Sequence, residues 1–172
     1  MIDDIPAKSE EVREVYARFG LAIYSAQCLE HGLVNAFIYL HLIPSKMPEY
    51  RPKEWEDEVD AFTSKHFEHT LGRMIKDLEK FTNIAPNLSK KLSQALKIRN
   101  WLAHDYFRER AREFLSHEGR IIMIKELDDA TSTMNEADAE LSKTLDPILK
   151  KYGITEELIA KVSKEILSKP KE

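Results

Sequence analysis

Apolar residues recur along most of the chain at intervals of three and four, the spacing of one face of an α-helix. In the first such stretch they are Val12, Val15, Phe19, Ala22, Ala26, Leu29, Leu33, Phe37 and Leu40. Ser9 is an N-cap residue type, and Glu10 and Glu11 behind it suit the positive helix end, so a first helix is predicted to start there. Gly20 and Gly32 fall inside it and mark close packing or a kink. Pro44, Pro48 and Pro52 then predict a loop. A second helix is predicted over 53–81, with Thr63–Ser64 as the place where it could break. Its later part carries Phe67, Leu71, Met74, Ile75 and Leu78, and Asn83 and Pro86 end it.

The third helix is predicted from about Pro86 to Leu115, followed by a turn at Ser116 to Gly119. A fourth covers about Arg120 to Asp146, with the stripe Leu127, Ala130, Met134, Ala137, Leu141, Leu145 and Ile148. Pro147 should kink or restart it. Gly153 reads as a helix terminator and Thr155 as the N-cap of a short fifth helix over Glu156 to Leu167. Ile121 to Ile124 is the only strand-like run, and helical sequence flanks it, so it too reads as helix. The expected fold is all-α: an antiparallel bundle of four long helices with an added short C-terminal helix. It would be one domain over 1–172, with a core over 9–149 and a helical extension over 155–167.

Composition supports a single packed domain, since 42% of the 172 residues are hydrophobic. Five Gly and seven Pro are too few turn residues for an all-β chain. The single cysteine, Cys28, cannot form an intrachain disulfide. The acidic start MIDDIPAKSEE lacks the apolar run of a signal peptide. The longest apolar stretch, Gly32 to Ile43, is interrupted by Asn35 and His41 and falls short of the ~20 residues of a membrane span. A cytoplasmic protein without a membrane span is therefore expected. The net charge of −4 lacks the basic signature of a nucleic-acid-binding domain. Charge is nonetheless uneven: Leu88 to Arg112 holds seven Lys and Arg against Asp105 and Glu109. A solvated helix face is the plain explanation.

The third helix breaks its own pattern. Its seam runs Leu88, Leu92, Ala95, position 99, Leu102 and Tyr106, and position 99 is Arg99. A guanidinium in a seam needs an anion or a wet cleft, because desolvating it alone is costly. Asn100 and His104 lie one turn apart beside that seam. Trp101 points nearly opposite it, toward a second packing surface on the fifth helix or on a second subunit.

Residues 99–106 read Arg-Asn-Trp-Leu-Ala-His-Asp-Tyr. This resembles the Rx4–6H signature of the HEPN superfamily, in the RxxxxHxY form of the toxins of HEPN–MNT toxin–antitoxin pairs. The likeness is carried by these eight residues and, loosely, by the helix pattern over Ser9 to Leu149. It implies a four- or five-helix fold that dimerises, with two motifs meeting in one cleft. It also implies metal-independent RNA cleavage, without cofactors, in which Arg99 and His104 are catalytic. Asn100 and Tyr106 would support them, and Tyr106 matches the position that MNT nucleotidyltransferase partners modify with AMP. Many HEPN domains are instead noncatalytic modules that bind a nucleotide, RNA or a protein. The chain also departs from many such toxins by its extra segment after Gly153.

The chemistry suits the residue types. RNA carries its own nucleophile, the 2′-OH, whose attack on the adjacent phosphate needs a base, an acid and positive charge. Histidine titrates near neutrality and can serve as either acid or base. Arginine stays charged and forks onto phosphate oxygens. Lys97 and Arg108, in the basic stretch, would hold the RNA backbone. The competing explanation is structural, with His104 bonded locally and Arg99 in an ion pair for which Glu30 is the candidate. Other constellations are weaker. His66 with His69, and Glu113 with His117, have two-ligand spacing on a helix, but Glu-x-x-His sets are missing and no metal is expected. Cys28 has no basic neighbour and reads as a structural thiol. His31 and His41 read as surface or packing residues, and Trp55 as an anchor to the bundle.

Overall fold

The computed structural model describes residues 8–46, 52–67 and 69–168. Among them every regular element is helical: α1 (Lys8–Phe37), α2 (Ile43–Lys46), α3 (Pro52–Phe67), α4 (Leu71–Phe81), α5 (Pro86–His104), α6 (Tyr106–Glu109), α7 (His117–Lys151) and α8 (Glu156–Ser168). The run Ile121 to Ile124 is helical, inside α7. No helix of the described residues is long and apolar enough to cross a membrane.

Several boundaries differ from the sequence pattern. The first helix does not stop at Pro44. A π-helical turn, Ile38–Leu42, follows α1, and the Ile43 N–H reaches back to the Ile38 carbonyl. That wider turn takes up the proline ring, which would clash with the carbonyl four residues back in a regular helix. Pro52 opens α3, where its fixed φ and missing N–H fit. Pro48 and Glu68 lie outside the described residues. The second helix breaks after Phe67 instead of at Thr63–Ser64. Thr70 is extended and its hydroxyl accepts a hydrogen bond from the Arg73 N–H at 3.3 Å, capping α4.

The predicted third helix is also too long. α5 ends at His104, and Asp105 (φ −125°, ψ −24°) turns the chain into the short α6. A 3-10 turn, Glu113–Leu115, follows. Ser116 then caps α7, accepting from the Gly119 N–H at 3.1 Å. Gly119 is forced by close packing: a Cβ there would lie 2.1 Å from the Glu113 carbonyl oxygen. Pro147 does not restart the helix, and α7 continues through it to Lys151. Pro147 and Lys143 are both exposed, so the carbonyl that the missing N–H leaves unpaired can be hydrated. Gly153 takes φ +70° beyond the helix end, and Thr155 caps α8 through the Leu158 N–H at 3.2 Å.

α1 packs along α7. Cross-helix partners climb in step: Glu11 with Arg120, Arg18 with Asp128 at 3.0 Å, and Gly32 beside Asp138. These two helices therefore run parallel. α5 runs against both, since Arg99 meets Glu30 while Tyr106 meets Phe19, and Lys91 meets Glu136 while Tyr106 meets Met123. An arrangement in which every neighbour is antiparallel is not what these helices form. The extra reversal between α3 and α4 turns α7 into the direction of α1.

Two core clusters result. One gathers Leu29, Leu33, Phe37, Leu71, Met74, Leu78, Leu88, Leu92, Ala95, Met134 and Leu141. The other gathers Val15, Ala22, Leu102, Tyr106, Met123, Leu127 and Ala130. Burial of a Leu or Met side chain contributes about 1.5–3 kcal/mol, so these clusters carry the fold. The α5 seam belongs to the first through Ala95 and to the second from Leu102 onward. Arg99 stands between them, and Ile98 packs against both.

Candidate functional site

The last two turns of α5 and the facing side of α1 enclose a groove of about 260 Å³, lined by Ile23, Ala26, Gln27, Glu30, Arg99, Ala103 and His104. Arg99 and His104 thus share one groove although they are five residues apart on the helix.

Arg99 has the anion that its place in the seam requires. Its Nη2 lies 3.0 Å from Glu30 Oε1, with the two side chains 30% and 20% exposed. Its Nη1 donates to Asn100 Oδ1 at 3.3 Å. Glu30 is the counter-ion that the α1 sequence offered as a candidate. His104 is the final residue of α5 and is exposed, and its imidazole has no hydrogen bond or ion pair with another described residue. The local-bond alternative is therefore met for Arg99 and not for His104.

Tyr106 does not join the groove. It is 1% exposed, and its hydroxyl donates to the Met123 carbonyl at 3.2 Å. Burial, and secondarily the negative charge of Glu126, pushes its pKa far above the ordinary tyrosine range. In this conformation the hydroxyl is closed to any modifying enzyme. The break at Asp105 makes this placement: α6 turns inward and carries Tyr106 under Phe19 and edge-on to Trp101, with ring centroids 4.8 Å apart.

Trp101 has its partners within the chain. Its Nε1 donates to Glu109 at 2.8 Å, and the Arg110 guanidinium lies 5.3 Å from the ring centroid. Arg110 is itself held by both Glu126 oxygens at 2.8 Å. Neither α8 nor a second subunit is needed to explain this ring.

The basic stretch is largely neutralised. Lys91 pairs with Glu136, Arg99 with Glu30, Arg108 with Asp105 and Arg110 with Glu126. Lys97 is exposed and has no ion pair among the described residues. Of the two candidate backbone-binding residues, Lys97 is thus open and Arg108 is engaged within its own turn.

The other histidines are elsewhere. His66 Nδ1 lies 2.8 Å from the Phe62 carbonyl, and its ring packs on Phe62 and Phe37. His117 contacts Glu11, which also takes Arg120 Nε at 2.9 Å. Those two partners hold the Glu11 carboxyl below the usual range, the Arg120 hydrogen bond most strongly. Arg120 is 5% exposed and also donates to the Phe114 carbonyl at 3.0 Å, so this cluster ties α1 to the start of α7. Among the described residues no three His, Cys, Asp or Glu side chains are placed to hold a metal ion.

Sequence reasoning did not find the α1 side of the groove beyond Glu30. The signal was present as a second face on α1, with Ile23, Ala26, Gln27 and Glu30 at spacings of three, one and three beside the core stripe. It also missed Asp138 on α7, to which Gly32 was the pointer. No family model, curated protein or solved structure matches the chain.

Proposed function

We propose that this chain is a metal-independent endoribonuclease of HEPN type that works as a homodimer through Arg99 and His104. The observation that carries the reading is their placement: an exposed, uncommitted imidazole and a charged guanidinium line one open groove. In the reaction the 2′-OH loses its proton to one imidazole and attacks the neighbouring phosphorus. The P–O5′ bond breaks, and the 5′-oxygen takes a proton from a second histidine in its protonated, imidazolium form, the partner's His104. Arg99 exchanges Glu30 for the phosphate oxygens and neutralises the charge that builds on them. The products are a 2′,3′-cyclic phosphate and a 5′-OH. Asn100, bonded to Arg99, positions the guanidinium, and Lys97 holds the RNA backbone. A cytoplasmic location belongs to the same reading, and so does an MNT nucleotidyltransferase antitoxin, for which Tyr106 would have to leave its buried place to be modified. So does a HEPN-like core of four long helices, with α8 as an addition to it.

The test is cleavage of a mixed RNA pool in EDTA by the chain and by His104→Ala. General acid–base loss predicts a fall of roughly 10²–10⁴-fold, with an unchanged melting temperature because His104 is exposed. Equal cleavage by the two proteins, or none by either, removes His104 as a catalyst.

A second reading has its own support. The Arg99–Glu30 pair and the neutralised basic stretch suit a noncatalytic HEPN-like module that holds a nucleotide, RNA or a protein partner. Binding of RNA without cleavage, unaffected by His104→Ala, would select it.

A further inference from the structure

On its other flank α1 forms a second and larger groove with α7, of about 510 Å³. Tyr24, Gln27, Gly32, Asn35, Asp138 and Ser142 are among its lining residues. Gln27 also lines the Arg99–His104 groove, so the two grooves meet at that side chain.

Asp138 is the unusual member. Its carboxylate has no hydrogen bond and no ion pair with any described residue, whereas Glu30, the acid of the neighbouring groove, is paired with Arg99. Burial alone raises its pKa, with no compensating donor. The side chain is only partly buried, so it stays open to solvent, and a donor bound in the groove would take the place of that hydration. Room for the carboxylate is made by Gly32, where a Cβ would lie 2.7 Å from Asp138 Oδ1. The groove therefore combines an unanswered carboxylate, two side-chain amides and an exposed aromatic ring, Tyr24.

We infer that this groove binds a guanine base, with Asp138 accepting from N1–H and the N2 amino group. Among the four RNA bases guanine offers two donors on neighbouring atoms to one carboxylate. Uracil offers one N–H flanked by carbonyls that a carboxylate repels. Adenine and cytosine offer an amino group beside a bare ring nitrogen. Asn35, one turn from Gly32, supplies an N–H donor for the guanine O6, and Tyr24 supplies a face for stacking. The inference rests on the RNA reading for its source, since a strand held in the Arg99–His104 groove meets this one at Gln27. A free guanine nucleotide has the same chemistry.

Calorimetric titration of the full chain with 5′-GMP, 5′-AMP, 5′-CMP and 5′-UMP, then with guanine-containing and guanine-free single-stranded oligonucleotides, tests it. Expected is a preference for guanine of roughly tenfold or more, the scale of one good bidentate contact. Preference among the oligonucleotides assigns RNA as the source, and preference confined to 5′-GMP assigns a free nucleotide. Asp138→Asn should abolish the preference, and Gly32→Ala should do the same while keeping the carboxylate. Both variants are checked for folding by their melting temperature. Equal affinity for all four nucleotides, or a preference that survives both substitutions, overturns the inference. His104→Ala keeps the guanine preference, so guanine binding without any cleavage sinks the nuclease reading and leaves this one standing.

Discussion

Arg99 and Asp138 face the same helix from opposite flanks, one on α5 and the other on α7. Arg99 interrupts an apolar seam between two core clusters, and Glu30 answers it at 3.0 Å. Asp138 sits partly desolvated in a wider groove, and no described residue answers it. A charge that serves the fold is matched by a partner when the helices pack, because the unpaired alternative is costly. A charge left unmatched is a cost to the fold, and such costs cluster where a protein meets something else. The Arg99 groove holds both kinds of residue, a paired guanidinium and an open imidazole. In the Asp138 groove the carboxylate itself is the unmatched group.

The comparison breaks most visibly at the ion pair. Arg99→Met leaves the Glu30 carboxylate partly buried and alone, and should destabilise the chain by about 1–3 kcal/mol. Glu30→Gln together with Arg99→Met should restore part of that loss. A double-mutant cycle by urea unfolding reads the coupling, and additive effects would show that the pair contributes nothing.

At Asp138 the sign reverses. Asp138→Asn removes a charge that no partner stabilises, so the melting temperature should hold or rise by about 1–2 °C, the scale of a few tenths of a kcal/mol. A fall of several degrees would mean that the carboxylate has a structural partner after all.

The smallest effect is in the pH dependence. Asp138 has a folded-state pKa above its unfolded value, so it binds its proton more readily when folded. Its contribution to stability is complete below the unfolded value, near 3.9, and is lost as pH rises through the raised folded value. The gap in melting temperature between Asp138→Asn and the parent should therefore narrow as pH falls toward that range. Glu11 and Asp77 work in the opposite direction: their pKa values are lowered by Arg120 and Arg73, and their contributions fade on acidification. They are common to both proteins and cancel in the difference, so a gap that widened in acid would contradict the assignment to Asp138.

Helix positions were legible wherever apolar spacing was regular, as in α1 and the long middle of α7. Thr155 and Gly153 marked their boundary because a cap and a left-handed residue are local requirements. The same rules misplaced Pro44 and allowed a restart at Pro147 that α7 does not make, since whether a proline ends a helix depends on the surrounding turn and its hydration. They also ran the third helix on to Leu115. Nothing local in Asp105-Tyr106-Phe107 announces a stop, and the bend is set by where the Tyr106 ring finds its core.

The sequence by itself determined that the chain is all-helical, that Arg99 occupies a core-facing register, and that His104 follows on the next turns. Period and spacing fix these, because they are properties of one helix. Only the tertiary structure decided that Glu30 answers Arg99, that Tyr106 is closed away and that Asp138 is left unanswered. Those outcomes depend on which helices become neighbours and in which direction they run. One additional reversal, after Phe67, sets α7 parallel to α1 and brings Asp138 to Gly32.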